Sequence, residues 1–114
     1  MILEIKDKRI EPDILVLELT GKIILGNESK RLEWRVDEGL KQNQKKVILD
    51  LAGITSLDST GIGIITFCYG KLKAAGGGLR VAGAHGMVSE TLKITNINTL
   101  VGAFPSVAAA AQGF

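Results

Sequence analysis

The segment Lys46-Val47-Ile48-Leu49-Asp50-Leu51 is a short, nearly continuous apolar run rich in branched side chains. Such a run suits a strand buried on both faces, because a strand with one wet face alternates apolar and polar residues. A strand of this kind needs a covering layer on each side. The chain around it must therefore supply further strands and the helices that shield them.

The rest of the sequence supplies both. Ile2 to Ile10 and Ile14 to Thr20 read as strands parted by Glu11-Pro12-Asp13, where proline and aspartate favour a turn, so a hairpin is expected. After Gly21 to Gly26, which holds the apolar trio Ile23-Ile24-Leu25, a helix is predicted from Asn27 to about Gln42, with Asn27 as its cap. Leu32, Val36 and Leu40 recur every four residues and form its core-facing stripe. Trp34 falls about 160° from the middle of that stripe, which leaves it partly exposed, either against a loop or on a contact surface.

Ala52 to Leu57 reads as a linker, followed by a helix over Thr60 to Ala75 that places Ile62, Ile65, Tyr69 and Leu72 on one face. Gly76-Gly77-Gly78 stops that helix. A strand at Leu79 to Ala82 follows, then a short helix around Met87 to Ile94 and a small strand near Thr99 to Val101. A last helix runs from about Pro105 to Ala111, with Pro105 in its first turn. Strands alternating with helices predict one α/β domain over residues 1–114, with right-handed crossovers in a mixed sheet of four to five strands packed by about four helices.

Composition limits the functions open to such a domain. Fourteen Lys and Arg against 12 Asp and Glu give a net charge of +2, and the two signs are interleaved. This is too weak to hold a nucleic-acid backbone by counterion release, so no direct nucleic-acid contact is expected. The N-terminus lacks the layout of a signal peptide, and no stretch reaches the roughly 18 to 20 apolar residues of a membrane span, so a cytoplasmic protein without membrane insertion is expected. Cys68 is the single cysteine; it has no disulfide partner and reads as a small buried hydrophobe.

The stretch richest in chemistry is Leu57-Asp58-Ser59-Thr60-Gly61-Ile62-Gly63, two hydroxyls and a carboxylate at the entry to a helix. The first N–H groups of a helix have no partner within it and, with the helix dipole, favour negative charge, so a phosphate on Ser59 is compatible with the fold. Gly61 and Gly63 are read as leaving the approach open. Spacing alone favours the plainer reading, in which Asp58 or Ser59 is an ordinary helix cap without further function.

Val47-Ile48-Leu49-Asp50-Leu51 followed by Ile54 to Gly63, with Asp58-Ser59-Thr60-Gly61 at its heart, resembles the signature of the STAS family, shared by sulfate transporters and bacterial anti-sigma factor antagonists. The opening hairpin, Gly21 after the second strand and the glycines after the second helix extend the resemblance over nearly the whole chain. It implies a phosphoprotein that regulates transcription by protein–protein interaction. In free-standing members, the serine after the aspartate is phosphorylated by an anti-sigma factor that is also a serine kinase, and a cognate phosphatase reverses this. Here that residue is Ser59. The implied partner-binding surface is Asp58, Ser59, Thr60, Gly61 and Ile62. Unphosphorylated, the protein would sequester the anti-sigma factor and free sigma factor for transcription. A phosphate would add about −1.5 to −2 charges to a surface that docking must desolvate.

One departure concerns Gly21, which is followed by Lys22-Ile23-Ile24-Leu25 where sporulation-type antagonists carry an acidic residue. That trio could pack inward or line a groove for a partner or lipid. The resemblance also admits a STAS subunit of a membrane transport or lipid-trafficking complex with no phosphorylation cycle. An enzyme built on Ser59, Asp58 and His85 is disfavoured, since the residues around Ser59 do not form Gly-x-Ser-x-Gly, and His85 reads as a loop residue. Neither glycine cluster precedes the Lys-Ser or Lys-Thr of a P-loop, and one His with one Cys offers no metal cluster, so no cofactor or metal is expected. A monomer or weak dimer is expected.

Overall fold

The computed structural model describes residues 2–114. Among them are five strands and five helices: β1 (Leu3–Ile10), β2 (Ile14–Ile23), α1 (Lys30–Lys41), β3 (Lys46–Leu57), α2 (Ser59–Ala74), β4 (Gly78–Ala82), α3 (Gly86–Ile94), α4 (Ile97–Leu100), β5 (Gly102–Phe104) and α5 (Val107–Ala111). The sheet order is β1-β2-β3-β4-β5. β1 and β2 form the antiparallel hairpin, and every later neighbour pairs in parallel. The strand around Val47 to Leu51 is central, as its two-sided apolar character requires.

The two faces are covered unequally. Leu15, Leu17, Leu19, Val47, Leu49 and Leu51 of the sheet pack with Leu32 and Val36 of α1, Ile65, Cys68 and Leu72 of α2, and Val88 and Leu92 of α3. On the other face Ile14, Val16, Ile48 and Ala82 pack under Ala110 of α5, with Val107 and Phe114 beside them. Each fully buried Leu or Ile contributes roughly 1.5–3 kcal/mol over an exposed one, so the larger layer dominates stability. The small lid is held by Arg80, whose guanidinium donates to the carbonyls of Ala110 and Gln112 at 2.9 Å and lies 4.4 Å from the Phe114 ring centre.

Several boundaries differ from the sequence reading. Ala52 to Leu57 is the second half of β3, paired with β2 beyond an irregularity through Thr20↔Gly53, Gly21↔Ile54 and Ile23↔Leu57. Gly53 permits this close pairing, since a Cβ there would lie 2.8 Å from the Leu19 carbonyl oxygen. Asn27 does not cap α1; Ser29 occupies that position and its side chain bonds elsewhere. Leu100 closes the one-turn α4, and the last strand is Gly102–Phe104. Pro105 precedes α5, whose cap is Ser106, with its hydroxyl accepting from the Ala109 N–H at 3.1 Å. On α2 the buried line includes Ile64, Ile65, Cys68 and Leu72, while Ile62 and Tyr69 flank it, because apolar residues lie nearly all round this helix.

The glycines after α2 act as expected. Gly76 has φ +88°, its N–H donates to Lys73 and that of Gly77 to Leu72, the paired bonds of a helix C-terminus closed by a left-handed residue. Gly77 also passes so close to the chain before β3 that an added Cβ would sit 2.0 Å from the Lys45 carbonyl oxygen, whereas Gly70 in mid-helix faces open space. Gly77→Ala should therefore destabilise by roughly 1–3 kcal/mol or more. Gly70→Ala should stabilise by about 1 kcal/mol from helix propensity. Urea unfolding of both variants checks the pair, and a harmless Gly77→Ala would contradict the packing.

Candidate functional site

β3 delivers Asp58 to the start of α2. Its extended backbone (φ −103°, ψ −174°) places the carboxylate over the helix end, where Oδ1 accepts from the Gly61 N–H at 2.9 Å. Asp58 is thus the cap. The second oxygen, Oδ2, accepts from the backbone N–H of Leu25 at 2.9 Å. One carboxylate therefore joins the α2 terminus to the loop between β2 and α1. Both main-chain donors favour the ionised form, chiefly that of Gly61 and then that of Leu25, and hold the Asp58 pKa below its ordinary value.

With the cap filled by Asp58, Ser59 stands at the first helical position and is exposed. Thr60 and Ile62 are half-buried beside it. Gly61 is buried, and its role is not to leave the approach open: a Cβ there would meet the Ile23 carbonyl oxygen at 2.2 Å and Leu57 Cδ1 at 2.5 Å. The first turn of α2 is pressed against the end of β2, and only glycine fits. Gly63, by contrast, faces open space. The five residues singled out in the sequence lie together at this edge, with Gly61 contributing closeness and no surface of its own.

Sequence reasoning did not find the part played by the β2–α1 loop. Ser29, the one buried polar side chain among the described residues, donates from Oγ to the Ile24 carbonyl at 2.6 Å and accepts from the Ile24 N–H at 3.0 Å. Glu28 accepts from the N–H groups of Ile2 and Leu3 at 3.0 and 3.2 Å. The apolar trio divides within this loop: Ile23 is buried, Ile24 half-buried and Leu25 77% exposed. A serine and a glutamate ahead of a helix were the available signal, but caps are commoner than loop braces.

Other candidates lie apart from this chemistry. His85 precedes α3 and its Nε2 is 3.0 Å from the Ala52 carbonyl oxygen. Both Asp58 oxygens are engaged by main-chain N–H groups, which leaves that carboxylate unsuited to orient a histidine beside a nucleophile. Cys68 is buried and its thiol is pushed up to about 12, mainly by desolvation, so it is an inert core residue. No cluster of three or more potential metal-ligating His, Cys, Asp or Glu side chains occurs among the described residues, and none of their helices is long and apolar enough to cross a membrane. Trp34 is 63% exposed on α1, beside Ile5, Arg31 and Arg35.

A five-stranded sheet opened by a hairpin, with an aspartate-capped helix presenting a serine at the end of its central strand, defines an α/β domain of the kind that the sequence signature implied. The STAS domain profile matches residues 6–110, and the chain belongs to that family. A relative in Thermotoga neapolitana, named as a candidate anti-sigma factor antagonist, is 24% identical over 104 residues, covering 91% of this chain and 92% of its own. Among solved structures, an anti-sigma factor antagonist from Mycobacterium paratuberculosis superposes with a TM-score of 0.82 at 19% identity, over 95% of this chain and 90% of that one. A sulfate transporter family protein from Wolinella succinogenes gives 0.77 at 19% identity, over 90% and 85%. The phosphorylated form of a Bacillus cell fate determinant gives 0.67 at 13% identity, over 88% and 90%.

The double duty of Asp58 has a pH signature. A carboxylate whose pKa is lowered by folding adds stability that is present above its unfolded value and is lost as pH falls through the folded one. Asp58→Asn keeps a good capping residue but removes the ionisation. Wild type should thus be more stable than Asp58→Asn at pH 7, with the gap shrinking below the ordinary value of 3.8. Urea titrations at pH 7, 5 and 3 measure this, and a gap that is unchanged at pH 3 would refute it.

Proposed function

We propose that this protein is a phosphorylation-switched antagonist of an anti-sigma factor. In its unphosphorylated form it sequesters a partner that is also a serine kinase, freeing sigma factor for transcription in the bacterial cytoplasm. The observation that carries the reading is the exposed Ser59 at the start of α2, with the capping role already taken by Asp58. Its hydroxyl is free to receive a phosphate without unmaking the cap. The helix terminus tolerates the added anion.

The docking surface centres on Asp58, Ser59, Thr60 and Ile62, with Gly61 holding that turn against β2. Phosphate transfer adds about −1.5 to −2 charges beside a carboxylate that stays ionised at neutral pH. An interface of about 800 Å² per partner cannot cheaply desolvate that pair of anions. The modified form is released until a cognate phosphatase hydrolyses the ester. The family relatives named as anti-sigma factor antagonists support this assignment.

Incubation with the kinase-type anti-sigma factor of the same organism and ATP should add one phosphate, read by mass spectrometry. Ser59→Ala should remain unlabelled yet bind, while Ser59→Asp should weaken binding by roughly 10-fold or more by calorimetry. Equal affinities for the two variants would overturn the switch. A protein that gains no phosphate and binds no such kinase would instead fit a fixed STAS subunit of a transport or lipid-trafficking complex.

A further inference from the structure

Leu25 is 77% exposed, yet the main chain leading into it is hydrogen-bonded at Ile24 and at its own N–H. Its own N–H bonds to Asp58 Oδ2, and its predecessor Ile24 is bonded at both N–H and carbonyl by the buried Ser29 hydroxyl. Ile23, one residue earlier, is fully buried and its carbonyl oxygen lies against Gly61. A few residues later the loop is tied to β1, since Glu28 accepts from Ile2 and Leu3 while Arg31 donates to the Leu3 carbonyl at 2.8 Å. An isolated exposed leucine on a mobile loop needs no explanation. A leucine held out into water by a braced loop, joined through one carboxylate to the residue before Ser59, is preorganised for contact.

We propose that Leu25 is an apolar anchor of the partner-binding surface, seated in an apolar pocket on the anti-sigma factor, and that Asp58 is the positioning residue that holds it there. This rests on the function proposed above and extends its surface from the α2 terminus onto the β2–α1 loop. Bracing lowers the ordering cost of docking, and a leucine tied through its N–H to the residue before Ser59 couples the two contacts. Where Lys22-Ile23-Ile24-Leu25 follows Gly21, the recognition contributed by this loop is apolar at its exposed tip, which selects a partner with a complementary hydrophobic patch.

Calorimetry with the purified kinase-type anti-sigma factor, alongside steady-state phosphorylation of Ser59, tests this. Leu25→Ala should weaken binding by roughly 10-fold and Leu25→Met by less than about 3-fold. Leu25→Ala should raise the KM for phosphorylation while leaving kcat unchanged, since the reacting hydroxyl is untouched. Asp58→Asn retains an acceptor for the Gly61 N–H, but its amide NH2 cannot accept from Leu25. In the free protein it should speed hydrogen exchange at the Leu25 amide, and its effect on binding should be smaller in the Leu25→Ala background than in the wild type.

Full-strength binding by Leu25→Ala, with Ser59→Asp still weakened, would overturn the anchor and leave the switch intact. Absence of both phosphorylation and binding in the wild type would overturn the two together. Wild-type flotation with phosphatidylglycerol vesicles that is lost in Leu25→Ala, without any change in partner affinity, would assign the leucine to a lipid surface and also refute the proposal.

Discussion

The carboxylate of Asp58 is the interaction on which the candidate site depends. A helix start leaves N–H groups unsatisfied, and a loop that runs past it carries donors of its own; one anion placed between them satisfies a donor from each. The position is possible only because α2 begins in contact with β2, and that contact exists because residue 61 has no side chain. Adding a single carbon at Gly61 would push the helix away from Ile23 and move the cap from the loop it braces. Ser59 is exposed, and Leu25 is held, as consequences of the same close approach.

This arrangement separates two jobs that a helix terminus often combines. Serines at such positions are commonly caps, and a phosphorylated cap would have to give up its bond to the helix. Here the preceding aspartate caps and the serine is left to face solvent. A phosphate on Ser59 would therefore change the charge of the surface without displacing the cap beneath it. The core supports that economy of movement, since β3, which leads directly into Asp58, is central in the sheet and has core residues on both faces.

Much of the architecture was legible because apolar periodicity reports burial directly. Val47 to Leu51 announced a central strand, Leu32, Val36 and Leu40 the inner face of α1, and Gly76 to Gly78 the end of α2. The misreadings have a common cause. Ala52 to Leu57 mixes small and polar residues, and its pairing with β2 rests on an irregular register and a close approach at Gly53 that no local pattern encodes. Asn27 looked like a cap and Ser29 took the position, because a buried hydroxyl satisfied by Ile24 outweighs a local propensity. Gly61 looked like an open approach and is instead a contact.

The sequence by itself determined the layered α/β class, the order of the major elements and the presence of a serine at a helix entrance, since these follow from side-chain polarity read along the chain. Tertiary structure decided which residue caps that helix, that Leu25 is left exposed, and that the two are joined. Asp58 and Leu25 stand 33 residues apart, and the hydrogen bond between them exists only once β2 and β3 lie side by side. Backbone donors carry no trace of their partners in the identity of their own residues, so such a bond is a property of the assembled sheet.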